Sequence, residues 1–237
     1  MKRWFVIGLL FVCSLGVVLY GVKASDRNFF MPEDLSGVKI VVDPGHGGLD
    51  GGASSGDVVE RDITLSIAHG LKKRLEKKGA TVIMTRMKDG DALAEHAPEE
   101  KFTTTRERKV ADLKLRERIA IDENPDMFIS VHVNAIPQEK WRGSQVFYHP
   151  EGHVGGKLLA ESIQESFRGG LKNTERKAMA IKDVYLLKKV PMPSVLVETG
   201  FLSNPEERSL LTDPAYQNKV ADAILQGIID FHQLEEE

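Results

Sequence analysis

Cysteine is almost absent from this 237-residue chain. Cys13 is the only one, so no intrachain disulfide can form and no thiolate cluster can hold a structural metal. Basic charge is not in excess either: 32 lysines and arginines face 35 aspartates and glutamates, a net charge of −3. That balance excludes the positive field of a duplex-binding protein, so no nucleic acid is expected as a partner. Internal repeats and low-complexity tracts are missing. So are G-x-G-x-x-G and the P-loop pattern, which leaves nucleotide binding without support. What is present, 41% hydrophobic and 28% charged residues, is the composition of one ordinary globular core.

The first 24 residues stand apart. Lys2 and Arg3 precede an uncharged, mostly apolar run over 4–22, followed by Lys23 and Ala24. This pattern predicts an export segment. Its length lies between a cleaved signal and the ~20 residues that span a bilayer. Val22 and Ala24 stand where a signal peptidase reads, so two readings remain, a cleaved signal peptide or a retained membrane anchor. In both, the positive flank stays inside and the remainder is extracytoplasmic, secreted or held on the outer face of the cytoplasmic membrane. Residues 25–36 read as a linker and 37–237 as a single folded domain. Past residue 24 there is no cysteine, which excludes a cysteine nucleophile, and 29 basic residues face 35 acidic ones, a net charge of −6.

Six short apolar, β-branched runs over 38–43, 81–85, 127–133, 144–148, 184–187 and 194–197 read as strands. Helical patterns alternate with them. The clearest covers 62–78, where Asp62 is placed to cap the first turn, Ile63, Ile67, Leu71 and Leu75 recur every four residues, and Gly79 ends the run. Others cover 105–122, 154–167 and 215–231. The alternation predicts an α/β fold with a mixed, mainly parallel six-stranded sheet flanked by helices. The polar stretch over 87–104 is the one long connection, expected to be disordered or to form a rim over a site.

In such a sheet, ligands bind beyond the carboxyl ends of the strands. The first strand runs into Asp43-Pro44-Gly45-His46-Gly47-Gly48, the third into His132-Val133-Asn134-Ala135, and the sixth into Glu198-Thr199-Gly200-Phe201. If these strands are neighbours, two histidines and a carboxylate face one crevice. Two imidazoles and a carboxylate form the ligand set of a catalytic zinc, with a further carboxylate needed as base. Glu60 and Glu198 are the available pair, and spacing alone does not say which binds metal. His69, His96, His149, His153 and His232 are read as packing or surface residues, with His149 and His153 able to reach the crevice rim. Gly52-Ala53-Ser54-Ser55-Gly56 matches the nucleophile-elbow pattern. An elbow must join a strand directly to a helix, however, and here the strand ends about ten residues earlier.

DPGHGG at 43–48 with Glu60 following, Thr85-Arg86, LRERIAI leading to FISVHVNA at 128–135, and VLVETGFLSN at 195–204 together resemble the zinc-dependent N-acetylmuramoyl-L-alanine amidases of the amidase 3 type. Within that family the compact arrangement is similar to the germination-specific spore cortex enzyme of spore-forming bacteria. The resemblance implies His46, Glu60 and His132 as zinc ligands and Glu198 as catalytic base. It implies Arg86 and Asn134 as residues that bind substrate or support the ligands. It further implies hydrolysis of the amide between N-acetylmuramic acid and L-alanine in peptidoglycan, with a part in cortex maturation (muramic lactam formation) and germination. Two other readings use the same residues differently, a zinc peptidase or deacetylase of the wall and a non-catalytic wall-binding protein. Without a wall-binding repeat, targeting is expected through the N-terminal segment or a separate targeting or activating protein. Where the family often has Arg-Gly before its fifth strand, this chain has Arg176-Lys177. The interval between His132 and Glu198 is expected to hold one ordinary helix and no autoinhibitory element.

Overall fold

The computed structural model describes residues 34–235, so the expected export segment and linker residues 25–33 lie outside the described residues. Six strands form one sheet: β1 (Lys39–Pro44), β4 (Thr81–Met84), β5 (Met127–Asn134), β6 (Gln145–Tyr148), β7 (Met179–Ala180) and β8 (Ser194–Phe201). A separate hairpin pairs β2 (Ser54–Ser55) with β3 (Val58–Val59). The sheet order is β4-β1-β5-β8-β6-β7, with β6 antiparallel to β8 and every other pairing parallel. The centre, β1-β5-β8, is made of the most continuously apolar segments, as a sheet covered on both faces requires. Because these three strands are parallel, their carboxyl ends share one edge.

Helix α1 (Glu60–Lys77) buries the predicted Ile63, Ile67, Leu71 and Leu75. With α4 (Gly155–Ser166) and α7 (Pro214–Glu235) it packs on the sheet face lined by Ile40, Val42, Ile129, Val131, Val195 and Val197. The opposite face, lined by Val41, Phe128 and Leu196, is covered by α3 (Thr105–Asp122) and α5 (Tyr185–Lys189). The remaining helices are α2 (Ala92–His96) and α6 (Pro205–Leu211), and a π-helical turn, Phe167–Leu171, extends α4. Among the described residues no helix is long and apolar enough to cross a membrane.

Three details differ from the sequence reading. Helix α1 begins at Glu60, and its N-cap, Val59, makes no side-chain cap. Loop carbonyls serve instead: Ala53 O accepts the Glu60 N–H and Gly51 O accepts the Arg61 N–H, satisfying two first-turn donors, while Asp62 lies inside the first turn itself. The run over 184–187, expected as a strand, is the start of α5. Its adjacent leucines, Leu186 and Leu187, pack into two different apolar clusters, and the leucines and lysines that follow Val184 are good helix formers. The strand that takes its place in the sheet is β7, two exposed residues that pair at the edge beyond β6. The interval between His132 and Glu198 therefore holds two helices rather than one.

The polar stretch over 87–104 carries α2, capped by Asp91, whose carboxylate accepts the Ala94 N–H at 2.9 Å. Arg108 on α3 grips the same carboxylate with two bonds of 2.6 Å. The segment packs against the turn after β1, where Asp89 O accepts the Gly48 N–H. It buttresses that turn.

Candidate metal centre and active site

His46 follows β1, His132 lies near the end of β5, and Glu198 faces His132 across the β5–β8 register. Glu60 comes from a different direction, as the first residue of α1. Its buried carboxylate is fixed by four contacts. Oε1 accepts the Val133 N–H at 3.0 Å and lies 2.9 Å from His132 Nδ1; Oε2 accepts the Ala53 N–H at 2.7 Å and lies 3.3 Å from His46 Nε2. The two imidazoles sit edge to face, with centroids 4.9 Å apart. One ligand atom from each of His46, Glu60 and His132 falls within 4.8 Å of the others, and no second cluster of this kind occurs among the described residues.

Two glycines make this convergence sterically allowed. A Cβ on Gly45 would lie 2.4 Å from the His132 ring, and one on Gly52 would lie 2.5 Å from Glu60 Oε2 and 2.6 Å from His46 Cδ2. His46 itself has φ +62°, a left-handed conformation that few non-glycine residues adopt. Its Nδ1 is buried and 3.0 Å from Asp50 Oδ2, off the axis of a hydrogen bond. Asp50 is anchored in turn by Lys109 Nζ at 2.9 Å.

The electrostatics separate the two glutamates. For Glu60, burial works against ionisation, but contacts with His132 and His46 outweigh it and hold the carboxyl well below the usual range. For His46, burial disfavours the charged ring, and the carboxylates of Asp50 and Glu60 overcome that and raise it to about 9. Glu198 is moved the other way. Burial, reinforced by the nearby Glu60 charge and opposed by the two imidazoles, pushes it up to about 7. Its Oε2 is buried without a hydrogen-bond partner. One carboxylate is thus committed to the ionised state, and its neighbour is poised to exchange a proton near neutrality. That division suits a ligand and a base.

A family model described as N-acetylmuramoyl-L-alanine amidase matches residues 40–230. The chain belongs to the N-acetylmuramoyl-L-alanine amidase family. The germination-specific N-acetylmuramoyl-L-alanine amidase of Bacillus subtilis is 40% identical over 231 residues, covering 97% of this amidase and 94% of the relative. Among solved structures, the CwlD amidase from Clostridioides difficile, in complex with the GerS lipoprotein, shares 39% identity at a TM-score of 0.77, covering 83% of this chain and 99% of that one. An N-acetylmuramoyl-L-alanine amidase from Clostridium difficile 630 follows at 28% identity and a TM-score of 0.71, covering 83% and 97%. This amidase is accordingly a hydrolase of the muramoyl–L-alanine amide, built on the same α/β fold.

The other expected site residues divide. Arg86 is fully buried, and its guanidinium donates to the carbonyls of Pro44, Gly45, Arg61 and Lys88, beneath the loop that carries His46. Asn134 ends β5 two residues past His132, and its carbonyl accepts the Leu202 N–H. His149 and His153 shape local turns, each Nδ1 accepting a backbone N–H two residues on. Of the Arg176-Lys177 pair, Arg176 stacks over the Phe201 ring at 4.9 Å, just beyond Glu198 on β8, and donates to Gly143 O. The Gly52–Gly56 pattern forms the β2–β3 hairpin, where no strand-to-helix elbow exists. Asp50, beside His46, and Asp112 and Arg116, behind the His46 loop, join the site as well, and of the three only Arg116 lies in a family motif, LRERIAI.

Proposed function

We propose that this amidase hydrolyses the amide between N-acetylmuramic acid and L-alanine with a zinc ion held by His46, Glu60 and His132 and with Glu198 as base. The observation that carries the reading is the convergence of three donor atoms within 4.8 Å beside a buried, unpartnered Glu198 oxygen. Two imidazoles and a carboxylate match the donor preference of a catalytic zinc, which keeps a position open for water. When bound, zinc supplies Lewis acidity that lowers the pKa of a water from ~15.7 toward ~7.

The chain's own residues do the rest. Glu60, fixed by the Ala53 and Val133 amides, orients both imidazoles. Glu198, ionised above about pH 7, takes a proton from the attacking water at its free oxygen and returns it to the departing L-alanine nitrogen. No covalent intermediate is required. Asn134, at the end of β5 two residues past His132, keeps both expected roles, substrate contact or ligand support, whereas the burial of Arg86 supports only the second. Glu198→Gln is expected to keep stoichiometric zinc and lose ~100-fold or more in turnover, and His46→Ala to lose the metal. Near-normal turnover in the first, or full zinc occupancy in the second, contradicts the assignment.

A role in spore cortex maturation and germination, and export through residues 1–24, complete the reading. The first is supported by the name and near full-length coverage of the Bacillus relative. The second is supported by the charge and hydropathy pattern of the N-terminus. The Clostridioides relative forms a complex with a lipoprotein, which favours a separate partner protein for this amidase as well. Deleting the gene and analysing cortex muropeptides tests the spore role, with loss of muramic lactam expected and an unchanged cortex contradicting it.

A further inference from the structure

Two arginines are sealed under the loop that carries His46, and both are among the largest fully buried side chains described. Arg116, on α3, donates from Nη1 to Pro44 O and Asp43 Oδ1 at 2.8 Å each, from Nη2 to His46 O at 2.5 Å, and from Nε to Asp112 Oδ2 at 2.7 Å. Arg86 donates to Pro44 O at 3.0 Å, Gly45 O at 2.9 Å and Arg61 O at 2.8 Å. Every carbonyl from Pro44 to His46 is therefore gripped by a guanidinium, and so is the carbonyl next to Glu60. Asp43 carries the network further, accepting hydroxyl bonds from Thr85 at 2.6 Å and from Ser130 at 2.7 Å, two residues ahead of His132.

Two buried arginines balanced by Asp43 and Asp112 are a poor way to gain stability, since an apolar replacement of similar volume often does as well. What this arrangement supplies is geometry. His46 sits at φ +62°, a strained conformation for a non-glycine residue that persists only where its surroundings over-determine it. The guanidinium clamps do so, and they tie the His46 loop to the strand bearing His132 and the helix turn bearing Glu60.

We propose that Arg116 is a positioning residue for the metal, setting the zinc affinity of the His46–Glu60–His132 cluster by fixing the backbone of the His46 loop. The proposal rests on the zinc reading of the site. Its test is zinc binding to the full chain, measured by competition with a chromophoric chelator, for wild type, His46→Ala and Arg116→Lys. Lysine keeps the charge, but its single ammonium cannot serve two carboxylates and two carbonyls at once. Arg116→Lys is expected to bind zinc ~10–100-fold more weakly, the range typical for groups that orient metal ligands. Turnover should recover as zinc is raised, with KM unchanged. A folded Arg116→Lys protein with wild-type zinc affinity overturns the proposal. If that variant does not fold, Asp112→Asn is read in the same way: a weakening of ~3-fold or more supports the role, and wild-type affinity overturns it. Failure of the zinc reading looks different, because wild type itself would then bind no zinc, or would bind it no better than His46→Ala.

Discussion

Glu198 and Gly45 show how single residues divide the labour of the site. The raised pKa of Glu198 is a cost to the fold. Its folded value of about 7 lies above its ordinary 4.5, so the native state prefers the protonated form. The penalty is absent below about pH 4.5, grows between 4.5 and 7, and is fully present above 7. Glu198→Gln is therefore expected to stabilise zinc-stripped protein by up to about 3 kcal/mol at pH 8 and to change it little at pH 4. Denaturant melts at the two pH values check this, and an equal effect at both contradicts the burial account. Gly45 is needed for space. Gly45→Ala forces a methyl group to 2.4 Å from the His132 ring. It is expected to displace that ligand, with zinc lost and turnover reduced ~100-fold or more, while far-UV circular dichroism stays unchanged. An active, zinc-loaded Gly45→Ala protein would mean that His132 is not held where the structure places it.

At the scale of elements, the site was legible wherever strand periodicity decided the outcome. His46, His132 and Glu198 follow directly from apolar runs that end in polar residues, because parallel strands bring their carboxyl ends to one edge. Glu60 was legible as one of two available carboxylates, but only the motif separates its role from that of Glu198, since nothing in spacing says that a residue at the start of α1 turns back toward β5. The misreadings have local causes. Asp62 looked like a cap because sequence shows side chains, whereas loop carbonyls do that job in α1. Val184 to Leu187 looked like a strand because four apolar or aromatic residues in a row carry no period, and β7 was invisible because an exposed two-residue edge strand has no hydrophobic signal. Arg86 and Arg116 could not be placed in the interior, where arginine is rare unless paired. The crossing of α4 and α7 supplies a test at this scale. Alanine is favoured over glycine in a helix by about 1 kcal/mol, yet a Cβ on Gly227 would sit 2.3 Å from Ile163 Cα. Backbone cannot yield as a side chain can. Gly227→Ala is expected to lose about 1–3 kcal/mol in a thermal or denaturant melt; a stabilised variant would show that the helices separate freely.

For the molecule as a whole, the scarcity of cysteine and the lack of basic excess leave histidine and glutamate as the residues from which the site is built, and one sheet edge gathers them. The central claim is that this edge is a zinc-dependent amidase for the muramoyl–L-alanine bond. Mass spectrometry of muropeptides from purified peptidoglycan treated with the full chain, with and without a chelator, tests it most directly. The account predicts peptides with free L-alanine amino termini and an intact glycan, abolished by the chelator and restored by added zinc. Cleavage at another bond, or release of the same products after the metal has been removed, would contradict it.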